Sequence, residues 1–235
     1  MRIILARSLL AAALVAAGLA APVAAAERSY TLTSFDRIRV EGPYAVNLVT
    51  NRAPFARASG SLRAIEGVSL RVEGRTLYVR ADRSAWGGNP DRPAGPVTIA
   101  VGTHDLAQAS LSGAGSLAID RVRGLEFGLI VSGSGSVTIA DVDLDQLRVS
   151  VAGSAQAKLA GRAKQFIALV RGAGGIDSAG LAVKDATLSA HGPATIRANA
   201  ATGAKITASG TASVALDGGA ACTLKVSGSA SVTGC

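Results

Sequence analysis

The chain has 235 residues, of which 49% are hydrophobic but only 3% aromatic, and it carries a formal charge of +8 at neutral pH. So few rings exclude a core built on large aromatics and the stacking platforms that grip single-stranded nucleic acid. The Lys and Arg are scattered, so the basic balance reads as a solvated surface, and no nucleic-acid partner is expected.

Residues 1–26 read as an export signal. Arg2 and Arg7 give a positive start, Leu9 to Leu19 is an apolar stretch too short to span a bilayer, and Ala24-Ala25-Ala26 before Glu27 is the small-residue pattern of a signal-peptidase site. The expected mature chain begins at Glu27 and is periplasmic or secreted. No later apolar run is long enough for a transmembrane helix.

Residues 27–105 alternate apolar and polar positions in short pieces: Ile38 and Val40, Val46 and Leu48, Val68, Leu70 and Val72, Leu77 and Val79, then Val97, Ile99 and Val101. Each piece has the period of a half-buried strand. Arg83 to Pro96 interrupts them with a Gly- and Pro-rich loop that cannot be strand interior. That loop holds the chain's one Trp, Trp86, which is either a contact patch or a ring folded down over the flank of the body. The section reads as the irregular opening of a solenoid, with a separate amino-terminal β-domain as the alternative.

Residues 106–235 repeat. Glycines at 113, 133, 153, 172, 192, 210 and 228 recur at intervals of 18 to 20 residues, each after a short alternating strand such as EFGLIVSG or QLRVSVAG. Two residues before these glycines stand Leu111, Val131, Val151, Val170, Ala190, Ala208 and Val226. Four before stand Ala109, Leu129, Val149, Ala168, Leu188, Ile206 and Leu224, and the same phase resumes after each glycine, as at Val137 and Ile196. A fixed period of this size marks a stacked-repeat architecture. Apolar residues at i, i+2 and i+4 would wrap around a helix instead of lining one face, and each glycine would cost a helix about 1 kcal/mol. The expected unit is strand, corner, strand, with glycine at the corner because the turn needs positive φ.

The fold class is therefore all-β: a single-stranded parallel β-helix, or solenoid, with Gly-Ser corners. Right-handed winding is expected by analogy with parallel crossovers. An antiparallel barrel is the structural rival, since alternating strands and Gly turns describe it too. All seven units share one polarity and nearly one length, so equivalent residues stack best when successive coils run parallel.

Catalytic motifs are missing: HExxH, CxxC, a G-x-S-x-G elbow and a phosphate loop are all absent from the sequence. Asp141, Asp143 and Asp145 open like a calcium loop, but Gln146 stands where Gly should bend the chain and Ala152 where a bidentate Glu should close it. They read as a solvent-facing edge. His104 and His191 are far apart in sequence and read as surface side chains. No catalytic residue, metal site or cofactor is expected.

An exported chain meets an oxidising compartment, where two cysteines favour pairing. Cys222 stands in the inward file six before Gly228, and Cys235 seven after it, which places them nearly opposite each other on two arms of the final coil. Packed sheets lie about 10 Å apart, too far for a disulfide, so the coil must narrow there or the tail bend inward. The alternatives are a buried free Cys222 beside a disordered Cys235, or a bond between chains through Cys235.

The stretch Phe35-Asp36-Arg37-Ile38-Arg39-Val40-Glu41-Gly42-Pro43-Tyr44-Ala45-Val46, followed by serial Ser-Gly-Ser-Gly corners, resembles the bacterial family described as "putative autotransporter adhesin head, GIN domain". The likeness covers nearly the whole mature chain. It implies a parallel β-helix in an exported protein and assigns no catalytic residue. The chain ends at Cys235 directly after its last repeat, so export through a carboxy-terminal barrel of its own is not expected. The functional reading is a non-catalytic, adhesin-like or structural surface module that binds an envelope protein or glycan. A polysaccharide-acting β-helix enzyme and a periplasmic scaffold with a protein partner are the alternatives.

Overall fold

The computed structural model describes residues 26–82 and 95–235. The stretch expected to be an export signal, but for Ala26, and Trp86 lie outside the described residues. The opening section comprises β1 (Ala26–Tyr30), β2 (Arg37–Glu41), β3 (Ala45–Val49), β4 (Phe55–Gly60), helix α1 (Leu62–Glu66), β5 (Val68–Glu73), β6 (Thr76–Ala81) and β7 (Val97–Gly102). The repeats follow as β8 (Gln108–Gly113), β9 (Ser116–Gly133), β10 (Ser136–Gly153), β11 (Gln156–Gly172), β12 (Gly175–His191) and β13 (Thr195–Gly210). β14 (Ser213–Asp217), β15 (Ala221–Gly228) and β16 (Ser231–Thr233) complete the chain.

From β8 onward every coil lies parallel on the next, advancing by one glycine unit. Val131 pairs with Val151 and Val151 with Val170, while Leu129, Val149 and Ala168 form the neighbouring file. These side chains are buried, and the only buried polar residues among those described are Thr103 and Ser178. Each satisfies its hydroxyl on a backbone carbonyl, Thr103 on that of Phe35 and Ser178 on that of Arg197. An unpaired polar group in so apolar an interior would cost a few kcal/mol.

The coils of β9 to β12 have three inward runs each, not the two arms expected from the sequence. In β10 the runs are Val137 and Ile139, then Val142 and Leu144, then Leu147, Val149 and Val151. Between runs two adjacent residues face outward, Ala140-Asp141 and Asp145-Gln146, and the alternation shifts phase. A chain that returns over its own start every turn must change direction more than once. The two phase shifts are corners without glycine, and the third corner carries Gly153. We number the faces in chain order from the glycine corner: face one (Ser136–Ile139), face two (Val142–Leu144) and face three (Leu147–Val151).

The glycine corner has two causes. Its residues have positive φ, +101° at Gly133 and +85° at Gly153. A Cβ on Gly133 would also lie 2.7 Å from the carbonyl oxygen of Gly113, and one on Gly153 would lie 2.6 Å from that of Gly133. Corners of successive coils therefore fit over one another only without side chains.

The opening section closes the amino-terminal end by reversing direction. β2 and β3 form a coil that lies parallel on β8 and the start of β9, and β6 and β7 lie parallel on β2 and β3 in turn. Chain order and coil order thus differ here. Beyond them the pairing turns antiparallel: β5 folds back on β6 through the two-residue turn Gly74-Arg75, β4 runs against β7, and β1 against β4. Helix α1, capped by the Ser61 hydroxyl on the Ala64 N–H, adds buried Ala64 and Ile65 to the same core.

At the other end Cys222 and Cys235 form a disulfide with Cα atoms 5.7 Å apart. They do not face each other across the coil as the two-armed reading required. Cys222 lies over Ala204 at the start of face three, and Thr233 over Ala215 near the end of face one, so Cys235 reaches the corner where face two would begin. In the preceding coil the chain crosses that gap through Gly218 to Ala220. The bond takes the place of the missing second face and closes the last turn.

Val151→Asp should lower unfolding stability by about 3 to 5 kcal/mol, the range for an uncompensated buried charge, while the outward Ser150→Asp should leave the denaturation midpoint nearly unchanged. The denatured, unreduced chain should show no free thiol. Cys235→Ser should cost about 3 kcal/mol, as for a disulfide closing a loop of this size; both energies are readable in urea titrations.

Candidate binding surface

With the interior filled, the chemistry of this molecule lies on its outer faces. Away from the register shifts at the corners, outward residues sit over counterparts one coil away, so rows of side chains run along the solenoid axis. On face two the rows are charged. Arg121 Nε pairs with Asp141 at 2.8 Å, Lys164 Nζ with Asp145 at 2.8 Å, and Arg162 holds Asp143 with two hydrogen bonds of 2.8 and 3.0 Å. Asp141, Asp143 and Asp145 therefore stand where the sequence placed them, on a solvent-facing edge, and each is bound to a cation of a neighbouring coil. Among the described residues no cluster of His, Cys, Asp or Glu is arranged to hold a metal.

The two hydrogen bonds from Arg162 hold the Asp143 carboxyl below the usual carboxylate range, with the charges of Arg162 and Arg123 adding to the effect. The same pair raises Arg162. Both side chains are solvated, so the pair contributes to register and surface charge more than to stability.

Where faces two and three meet, a furrow of about 560 Å³ runs along the axis. Its floor includes Leu144, Ala163 and Val183, one inward row seen from its outer side, and the exposed Gly124 in register with them. Its rims carry Arg123, Arg162, Lys164 and Lys184 against only Asp143 and Asp145. On face three a second depression of about 560 Å³ holds an apolar island. Ile130, Ser150 and Leu169 form one outward row, and Gly128, Arg148 and Ile167 the next. Ile130 is 45% exposed. The same two rows carry Ser110 and Gln108 before the island and Ser189 and Thr187 after it, so the apolar residues are confined to two coils, with Ser150 and Arg148 on the coil between. Arg148 reaches Glu126 and Gln146 at its edge.

The island and furrow residues were not singled out from sequence. The signal lies in broken alternation: Leu129-Ile130-Val131 and the run Phe166 to Val170 are continuously apolar where one outward position in two should be polar. His191 is an ordinary surface residue, with Nδ1 2.8 Å from the Ser209 hydroxyl. Exposed His104 lies beside Asn51 and Arg121, far from the island.

Parallel coils, an apolar interior and a patterned flank define a β-solenoid. The chain belongs to the family described as putative auto-transporter adhesin, head GIN domain, which matches residues 34–220. Among solved structures it is similar to a putative adhesin from Bacteroides fragilis, with 19% identity and a TM-score of 0.78, covering 88% of this chain and 94% of that one. It is also similar to a putative lipid binding protein from Parabacteroides distasonis, at 17% identity and TM-score 0.70, covering 88% and 95%. A putative adhesin from Parabacteroides merdae matches at 18% identity and TM-score 0.65, again covering 88% and 95%. At these identities the likeness shows a shared fold. No curated protein matches the chain.

The Asp143–Arg162 pair gives a pH prediction. Because the folded-state value is depressed, the pair's contribution is present above the unfolded carboxylate range and is lost as pH falls through the folded value. A carbon-detected NMR titration should place the Asp143 midpoint below that of an ordinary Asp, and Arg162→Gln should move it upward.

Proposed function

We propose that the protein is an exported, non-catalytic β-solenoid that works as an adhesin-like binding module at the cell surface or in the envelope. It engages a protein or glycan through its long flank and not through a cleft. The observation that carries this reading is the apolar island of Ile130, Ile167 and Leu169. Outward rows that elsewhere hold Ser, Thr, Gln and Lys carry Ile130 on one coil and Ile167 and Leu169 two coils on, with Ser150 and Arg148 on the coil between. Such a patch, rimmed by polar groups, is the usual mark of an interaction site.

The carboxylates support the non-catalytic reading. Asp141, Asp143 and Asp145 are each committed to an ion pair between coils, whereas glycan hydrolysis needs a free acid and base across a sugar-binding groove. Family membership supports attachment to some surface partner. The disulfide supports an oxidising compartment, and among the described residues no helix is long and apolar enough to cross a membrane.

The test uses the oxidised mature chain immobilised beside an Ile130→Asp/Leu169→Asp variant, both offered envelope proteins and envelope glycans. The native flank should retain a saturable component that the variant retains at least tenfold less well, with the same melting temperature. Equal retention by both, or turnover of an acidic glycan, would contradict the reading.

A further inference from the structure

The furrow between faces two and three is a second site, separate from the apolar island. We infer that it binds a medium-chain anionic amphiphile, an acyl chain ending in a carboxylate, with its head at Lys164 and Lys184 and its tail along the floor toward Gly124.

Charge complementarity fixes the head. Of the four cations on the rims, Arg162 and Lys164 are paired with Asp143 and Asp145, and Arg123 adds its charge beside Asp143 without a salt bridge, while Lys184 takes part in none of the ion pairs among the described residues. Ala163 pairs with Val183 and Gln165 with Asp185, so Lys164 and Lys184 lie side by side on successive coils. Like charges placed directly opposite each other across strands repel. An anion bridging the two ammonium groups removes that repulsion and supplies Lys184 with a counter-charge.

The floor fixes the tail. Leu144, Ala163 and Val183 keep accessibilities of 5, 7 and 4%, whereas inward residues such as Val131, Val151 and Val170 are at 0%. The small outward Ala182 and Ala201 leave the furrow open, and Gly124 leaves its far end without a side chain. The aliphatic stems of Arg162 and Lys164 form walls while their charged ends remain in water. From the coil of Lys184 to that of Gly124 is three strand spacings, about 14 Å, the reach of a medium acyl chain.

An acidic glycan would match the cations but not the floor. The furrow has no aromatic side chain to stack a sugar ring, and the side chains between its charged rims are aliphatic, those of Leu144, Ala163 and Val183 turned mostly inward.

The experiment is calorimetric titration of the oxidised mature chain with dodecanoate below its micellar concentration. Butanoate, dodecyl maltoside and an acidic galacturonate oligomer serve as comparison ligands. One-to-one saturable binding of dodecanoate is expected, with butanoate and the uncharged amphiphile at least tenfold weaker. Lys184→Glu should weaken dodecanoate at least tenfold and Ala182→Phe, which fills the furrow from its solvent side, should abolish binding. Ile130→Asp should leave it unchanged. All three positions face outward, and melting curves identify any variant that has lost its fold; Lys184→Gln, with an intermediate loss, then decides alone. Absence of saturable binding, equal affinity for the uncharged amphiphile, preference for the galacturonate oligomer, or loss through Ile130→Asp in place of the furrow variants would each overturn the inference. The binding-module reading rests on the island and survives a negative result here.

Discussion

The structure depends on one constraint: backbone hydrogen bonds hold each coil about 4.8 Å above the one before it, in the same direction and almost in the same register. Any residue then meets its own counterpart. Inside, this favours aliphatic files of matched size, as in Val131, Val151 and Val170. At the tight corner it admits only glycine, because a Cβ on Gly172 would lie 2.7 Å from the carbonyl oxygen of Gly153. The same hydrogen bonds leave an edge strand at each end, and edges invite unwanted pairing. The amino-terminal end is reversed into antiparallel strands and covered by α1. The last turn is closed by the disulfide.

On the outside the constraint works differently, because solvated side chains need not match. Opposite charges one coil apart attract, and face two uses this in Asp141 with Arg121, Asp143 with Arg162 and Asp145 with Lys164. Each pair is weak in water. Together they favour one register over a slip, since a one-residue shift would turn every charge inward. The same stacking turns a small change of composition into a surface feature: aliphatic residues on two nearby coils make an island, and small outward residues such as Ala182 beside charged rows make a furrow. A solenoid can therefore carry recognition on its flank while its interior stays uniform, which is the sense in which the family fold and the proposed binding role fit together.

The glycine period, the inward files and their parallel stacking were legible because each repeats several times. The number of faces was less so. The two further corners of a coil lack the regularly repeated glycine and are marked by adjacent outward residues such as Asp145-Gln146, and a reading fixed on the glycine period passes over them. That misreading set the cysteines on opposite arms, when they meet at the corner left by the absent second face. In the opening section the two-residue turn at Gly74-Arg75 signals a hairpin, but that β6 and β7 stack beyond β2 and β3 is a tertiary choice no local pattern records. The island was visible as a lapse in alternation at Ile130, Ile167 and Leu169. The furrow was not, since it needs the cross-coil alignment of Gly124, Leu144, Ala163 and Val183.

The most direct test of this organisation is a pair of electron-spin distance measurements along one outward row, with spin-label amino acids and the native disulfide kept. Ser110, Ile130, Ser150, Leu169, Ser189, Thr207 and Lys225 are successive counterparts. Labels at Ser150 and Lys225 should lie about 19 Å apart and labels at Ser110 and Lys225 about 29 Å apart, one strand spacing per coil. Two distances that are equal, or that shrink as the labels move further apart in sequence, would contradict stacked parallel coils and the flank built on them.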